Sequence, residues 1–183
     1  MGERSSIGPY AAFALPHYSD RDSAHDEAHI KRILARLDDL SAGVEPAPRS
    51  DRLNFLACFH GLALRVRDDL QFREEAEALL GSLGWPPAEI AEAFVALDRH
   101  CDDPRTPEEW IVHDANYIEL LGVFGVAKAF TKGGAEHQSY EETLDIFERN
   151  LDRIEFRTPH GRALAEEGRS CARAFIARLR DEL

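Results

Sequence analysis

Apolar residues recur along most of the chain at steps of three and four, which is the spacing of one face of an α-helix. The first clear series begins near Ser23, which is predicted as the N-cap, with the acids Asp26 and Glu27 in the first turn. The helix is expected to stop near Gly43. Its apolar positions are Ala28, Ile33, Leu34, Leu37 and Leu40.

Further helices are predicted from the same spacing combined with capping residues and with prolines at helix starts. The expected ranges are 51–64, 69–83, 86–100, 106–121, a short helix from 122, 140–154 and 158–183. The Lys-Gly-Gly segment at 132–134 is predicted to be a loop. Residues 1–20 hold two prolines and show no clear period, so they are predicted to form an irregular arm that packs on the domain.

The pattern therefore predicts an all-α protein with a single helical domain over residues 21–183. No segment alternates between apolar and polar residues with the period of two that is typical of strands. The length of 183 residues and the hydrophobic fraction of 44% fit one domain with a substantial core. Short loops between the helices favour a bundle-like arrangement.

The charge balance narrows the class of ligand. The net charge is −12, and an acidic surface repels a phosphate backbone, so we expect no binding to nucleic-acid polymers. A small phosphorylated molecule remains compatible with this charge, because a bound divalent metal can reverse the local field.

Cysteine usage and hydropathy indicate the compartment. The three cysteines, Cys58, Cys101 and Cys171, show no CxxC spacing, and their number is odd. Structural disulfides are not expected, which favours a reduced, cytoplasmic protein. The sequence has no basic start followed by an apolar stretch, so we expect no signal peptide. No apolar run approaches membrane-spanning length, so we expect no membrane partner.

Two histidines at the start of the first predicted helix are candidate metal ligands. His25 and His29 are four residues apart, so they would share one face of a helix and could bind a divalent metal together. The alternative is one capping and one surface histidine.

Three other residues are candidates for the same kind of chemistry. His60 follows an apolar helical stretch, where a hydrogen-bonded core histidine is the alternative. His100 closes a helix, where it could instead be a cation favoured by the helix C-terminus. Asp114 lies between apolar neighbours, and a buried carboxylate needs a metal or a partner such as an arginine.

Taken in order, these residues resemble the HD superfamily, in its small single-domain metal-dependent phosphohydrolase branch. Residues 22–33 match that branch's Asp-x-x-His-Asp-x-x-His-x-x-Arg-aliphatic pattern. Residues 113–122 resemble its Asp-Ala-Asp-x-Leu-aliphatic-Gly pattern, with Asn116 in place of the second Asp. The family's Thr-x-Glu-Ala, Gly-x-x-Gly-x-x-Arg-x-Phe and final-helix patterns have counterparts at 106–109, 122–130 and 158–169, so the resemblance covers roughly residues 20–183.

The resemblance implies a divalent metal held by His29, His60 and Asp114, with His100 close by as a catalytic residue, a ligand or a phosphate contact. Lys128 stands where the family has an arginine and would neutralise a substrate phosphate, although a solvated surface lysine is the alternative. The metal could be Mn, Mg, Co, Ni, Zn or Fe. Formation of a homodimer is left open.

One position departs from the family pattern. The second motif helix should end in Leu-His-Asp, but residues 59–61 are Phe-His-Gly, so Gly61 removes a carboxylate ligand. His25, His100 or His113 could compensate, and imidazole ligands would favour a transition metal over magnesium. Three functions remain open: a metal-dependent hydrolase of a small phosphorylated molecule such as a nucleotide, a different metal chemistry in the same pocket, and a non-catalytic binding or interaction protein.

Overall fold

The computed structural model describes residues 8–19 and 25–183, and this part of the chain is all-α, as predicted, with no β-strand. Short turns of 3-10 helix occupy Leu15–Tyr18, His60–Leu62 and Ile118–Leu120. The helices are α1 (Gly8–Ala14), α2 (Glu27–Ser41), α3 (Ser50–Phe59), α4 (Ala63–Asp68), α5 (Leu70–Ser82), α6 (Pro87–Arg99), α7 (Pro107–Tyr117), α8 (Gly122–Ala135), α9 (Tyr140–Leu151) and α10 (Pro159–Glu182).

Side-chain caps fix where several helices begin. Thr106 and Thr158 each accept a backbone N–H in the first turn of α7 and α10, where the sequence predicts helix starts, and Ser139 does the same for α9. For α2 the cap is Asp26, whereas the predicted cap, Ser23, lies outside the described residues. The helix therefore begins after residue 26 rather than near residue 23.

Within the predicted N-terminal arm, residues 8–18 pack on the main core, but the prediction of an irregular backbone was wrong for them. These residues form α1 and a 3-10 turn, and Tyr10, Ala14 and Tyr18 are buried in the main core. Burial of one face by neighbouring α3 stabilises a helix too short to form alone.

The predicted loop at 132–134 was also wrong, because α8 continues through it to Ala135. Gly133 is buried where α8 packs against α9, and a Cβ atom at this position would overlap the Thr143 side chain. The glycine thus permits close helix packing instead of ending the helix.

Two groups of apolar side chains form the interior. The main core joins α1 to α7, and its largest fully buried side chains are Tyr18, Phe55, Phe59 and Phe72. A smaller cluster joins α8, α9 and α10 and includes Leu144, Phe147, Leu151, Phe156 and Ile176. Helix α7 packs against α2 and α3 within the main core and also contacts α10.

Membrane insertion has no support in the helices of residues 8–19 and 25–183, because none combines the length and apolar character that crossing a bilayer requires.

Candidate functional site

Three histidines predicted from the sequence converge in the interior. His29 lies in the first turn of α2, His60 in the 3-10 turn that follows α3, and His100 at the end of α6. The ring centroids of His29 and His60 are 5.5 Å apart, and those of His60 and His100 are 4.9 Å apart. All three side chains are buried. The helix predicted over residues 51–64 is interrupted at His60, and this break sets the position of the ring.

Cys101 completes a tight group with two of these histidines. His60 Nδ1 lies 2.6 Å from His100 Nε2, and Cys101 Sγ lies 3.3 Å from His100 Nε2 and 4.0 Å from His60 Nδ1. His100 Nδ1 lies 2.6 Å from the Leu97 carbonyl oxygen. Because a carbonyl only accepts, Nδ1 of His100 carries the hydrogen and Nε2 presents its lone pair.

The environment keeps this group uncharged. Burial, followed by the proximity of His100 and His29, holds the pKa of His60 well below its usual value, although a hydrogen bond with Asn116 acts in the opposite direction. Burial likewise lowers the pKa of His100. Burial raises the pKa of the Cys101 thiol to about 12. The group therefore presents neutral donors, which is the state of imidazole that binds metals.

Glu119 fixes the orientation of His29. Its Oε2 lies 2.9 Å from His29 Nδ1. An ionised carboxylate only accepts, so His29 donates through Nδ1, which leaves Nε2 as the ring nitrogen that Glu119 does not engage. That Nε2 atom is buried and has no hydrogen-bond partner among the described residues.

Three cations surround the same carboxylate. Arg32 Nε lies 2.6 Å from Glu119 Oε1, Arg36 Nη1 lies 3.7 Å from Oε1, and Lys128 Nζ lies 3.5 Å from Oε2. Burial raises the pKa of Glu119, but the hydrogen bonds from His29 and Arg32 outweigh it and lower the pKa to about 2. Among the described residues, three cationic side chains thus surround one buried carboxylate, so this edge of the site is rich in positive charge although the protein as a whole is acidic.

An exposed aromatic ring borders the positive edge. Phe124 is 42% exposed, and its ring centroid lies 4.8 Å from the guanidinium carbon of Arg32 and 5.9 Å from Lys128 Nζ. Cations over a ring face are attracted by its quadrupole, which holds both side chains beside the ring.

Asp114 ties α7 to the start of α10. Its Oδ1 pairs with His113 Nδ1 at 2.9 Å and accepts the Arg157 N–H at 3.0 Å. Its Oδ2 accepts the backbone N–H of Thr158 at 2.7 Å and the Thr158 hydroxyl at 2.9 Å. Both oxygens are thus engaged by hydrogen-bond donors, and the metal-ligand role of Asp114 stays a prediction.

Two other predicted residues have different surroundings from those expected. His25 is exposed and precedes the cap of α2, so it does not share a helix face with His29, although the two rings lie 6.2 Å apart. The backbone N–H of Gly61 donates to the Tyr18 hydroxyl at 3.1 Å, and that hydroxyl donates to the Cys58 carbonyl oxygen at 3.0 Å. Tyr18 of the N-terminal arm therefore contacts the backbone of Gly61, the position at which the sequence departs from the family pattern.

The sequence prediction missed Cys101 and Glu119. Cys101 directly follows His100, and Glu119 is an acid inside an otherwise apolar stretch, Ile118 to Leu121. Both residues can be noticed in the sequence, but only their contacts with the histidines in the structure indicate a role.

The residues present fit a metal ion. His29 and His100 each direct Nδ1 towards a hydrogen-bond acceptor, which leaves Nε2 available as a metal ligand, the arrangement found in metal-bound histidines. The buried, unpartnered Nε2 of His29 is the clearest sign, since such atoms are costly without a ligand.

Solved structures of similar fold were found over nearly the whole chain. The Lin1889 protein of Listeria innocua is 21% identical, with a TM-score of 0.75 over 100% of this chain and 97% of that one. An HD-superfamily hydrolase of Bacillus thuringiensis is 20% identical, with a TM-score of 0.74 over 96% and 95%. Bacillus subtilis YpgQ, solved in complex with ADP, is 20% identical, with a TM-score of 0.70 over 97% and 98%.

Sequence comparison adds no closer assignment, since no protein-family model and no curated protein matches the chain. The structural likeness extends to a second HD-superfamily hydrolase, from an uncultured Thermotogales bacterium, with a TM-score of 0.62. The chain therefore has the single-domain, all-helical fold of the HD-superfamily hydrolases.

Proposed function

We propose that the chain is a metal-dependent phosphohydrolase that cleaves a phosphoester or phosphoanhydride bond of a small phosphorylated molecule. The observation that carries this proposal is the buried Nε2 of His29, which has no hydrogen-bond partner in the described part of the chain; the His29 ring lies 5.5 Å from that of His60, which is in turn 4.9 Å from that of His100. The fold of HD-superfamily hydrolases supports it independently.

His29 and His60 would hold the metal, together with Asp114 as the sequence predicts and with His100 alongside. A bound divalent metal would polarise a phosphoryl oxygen and lower the pKa of a water ligand. Asp114 could contribute only by giving up part of its hydrogen bonding to the start of α10. Gly61 offers no side-chain ligand, so we expect weaker metal binding than four protein ligands would give.

The cations at the pocket edge are the proposed phosphate contacts. Among the described residues, Arg32, Arg36 and Lys128 share one carboxylate, so three positive charges face one negative charge there. A phosphate would pair with these cations through charge-assisted hydrogen bonds. Lys128 would then take the role that the family resemblance implies for it, next to Arg32 and Arg36.

A nucleotide is the leading substrate class. The exposed ring of Phe124 adjoins the cations, and a nucleobase can stack on such a ring while its phosphates reach the positive side chains. The complex of Bacillus subtilis YpgQ with ADP shows that a protein of similar fold binds a nucleotide.

The test is hydrolysis of a panel of nucleotides and sugar phosphates with Mn, Mg, Co and Ni added separately. His29→Asn and His60→Asn should each lower kcat/KM by about 100-fold or more, because each removes a metal ligand. His137→Asn is the matched control: His137 is exposed and has a positive φ that asparagine also adopts, so activity should be unchanged.

Turnover that survives His29→Asn unchanged would contradict the proposal. Absence of bound metal and of turnover with every substrate would remove it and leave a non-catalytic binding protein. Bound iron with oxygen-dependent turnover would instead favour a different chemistry in the same pocket.

A further inference from the structure

We propose that His60, His100 and Cys101 form a nitrogen–nitrogen–sulfur ligand set for a borderline or soft transition metal such as Zn²⁺ or Co²⁺. This deepens the proposed function, on which it rests for the pocket, but it concerns ligands that the sequence pattern does not supply. The pattern implies two histidines and carboxylates, whereas the structure brings a thiol next to two imidazoles.

The spacing of the three donor atoms suits one metal ion. They are separated by 2.6, 3.3 and 4.0 Å. His60 lies at the break after α3, and His100 and Cys101 are consecutive residues at the end of α6. Tetrahedral zinc with ordinary bond lengths separates two nitrogens by about 3.3 Å and a nitrogen from a sulfur by about 3.6 Å. The observed separations differ from these by well under 1 Å, which side-chain rotation can supply.

A hydrogen bond with the main chain already orients His100 as a metal ligand. His100 donates through Nδ1 to the Leu97 carbonyl, so its Nε2 lone pair faces His60 and Cys101. Metal-bound histidines usually donate their other N–H to a main-chain carbonyl or a carboxylate in this way. In the metal-free protein the hydrogen of His60 Nδ1 occupies the space between the two rings, and a metal ion would replace it.

The proton balance of binding is simple. The Cys101 thiol loses its proton to solvent and forms the metal–sulfur bond as a thiolate. His60 would bind through Nδ1 as its other neutral tautomer, with the hydrogen on Nε2, and Asn116 is a hydrogen-bonding neighbour of the ring. One proton is therefore released for each metal ion bound.

The donor chemistry selects the metal. Two imidazole nitrogens and a thiolate favour zinc, cobalt or nickel over magnesium, calcium or manganese. The loss of a carboxylate at Gly61 works in the same direction, because it removes a hard oxygen donor next to His60. His29, whose ring lies 5.5 Å from that of His60, would be the neighbouring ligand that the proposed function assigns to the same metal.

A cysteine–histidine nucleophile is the competing interpretation of the same contacts. It is weaker, because His100 makes its second hydrogen bond with a main-chain carbonyl rather than with a carboxylate that would orient a catalytic base.

The test is titration of the metal-free, full-length protein with Co²⁺ under reducing conditions. We expect one equivalent to produce a thiolate-to-cobalt charge-transfer band in the near ultraviolet. Cys101→Ser should abolish the band and weaken cobalt binding by about 10-fold or more. Cys171→Ser is the matched control, since Cys171 is exposed and remote from the histidines in the sequence, and the band should persist.

X-ray absorption of the zinc-loaded wild-type protein tests the ligand set without any variant. It should show one sulfur at about 2.3 Å from zinc. Absence of sulfur there, or a cobalt band that survives Cys101→Ser, would overturn the proposal. Turnover with Mn or Mg but no thiolate band would contradict this ligand set and still support the proposed hydrolase. A thiolate band without any turnover would support the ligand set and contradict the proposed hydrolase.

Discussion

Glu119 is a buried carboxylate that pairs with one histidine and three cations. Its pKa in the folded protein is about 2, below the usual 4.5. The folded state therefore favours the ionised form, and this contribution to stability is complete above about pH 4.5 and is lost as the pH falls towards 2. The size of the difference corresponds to about 3 kcal/mol at neutral pH.

Glu119→Gln should lower the free energy of unfolding by about 3 kcal/mol at pH 7, and the gap to wild type should narrow as the pH falls below about 4.5. Chemical denaturation between pH 2 and 7 measures this. Glu27→Gln is the control, because its pairing with Lys31 is exposed and should matter little at any pH. A gap that stays constant across this range would show that Glu119 acts through packing and not through its charge.

At the level of single residues, the sequence predicted the histidines better than their partners. His29, His60 and His100 follow a spacing that the family resemblance makes specific, and they meet in the structure. Cys101 and Glu119 could not be assigned because their chemistry depends on burial and on contacts with residues distant in the chain.

Helix boundaries were predictable wherever a local signal controls them. Caps at Thr106 and Thr158 act through hydrogen bonds within three residues, so the sequence alone indicates them. The Lys-Gly-Gly segment misled the prediction because a glycine can serve either a loop or close packing between helices. Only the position of α9 decides between the two.

Gly133→Ala and Gly134→Ala form a matched pair in α8. An added Cβ at Gly133 would overlap the β-branched Thr143 side chain, so this change should cost about 1–3 kcal/mol of stability. At Gly134 a Cβ meets nothing within 4 Å, and alanine should stabilise the helix by about 0.5–1 kcal/mol. Thermal unfolding of both variants measures the difference, and equal effects would show that α8 and α9 do not pack as closely as described.

At the scale of the whole molecule, the interior is divided unequally between two apolar clusters. The main core holds α3, in which every residue from 53 to 59 is buried, whereas α9 buries one side in the smaller cluster with α8 and α10. Asp114 connects the two parts by binding the start of α10. The sequence predicted one core, because helical periodicity shows which face is buried but not which helices share it.

We expect amide hydrogens of α9 to exchange faster than those of α3 in the native protein, since local opening costs less where less apolar surface is buried. Hydrogen exchange followed by mass spectrometry compares residues 144–151 with residues 53–59. In addition, Asp114→Asn should speed the exchange of amide hydrogens at the start of α10 and leave exchange in α3 unchanged. Equal protection in α3 and α9 would mean that the two clusters open only together.

Tyr18 gives the N-terminal arm a structural role in the domain. Its hydroxyl bridges the Cys58 carbonyl and the Gly61 N–H, the two sides of the break that carries His60. Because both contacts are made with main-chain atoms, Tyr18 can hold the backbone around His60 whatever non-proline residue stands at position 61. Alignments of related chains that trim the first twenty residues would discard this side chain.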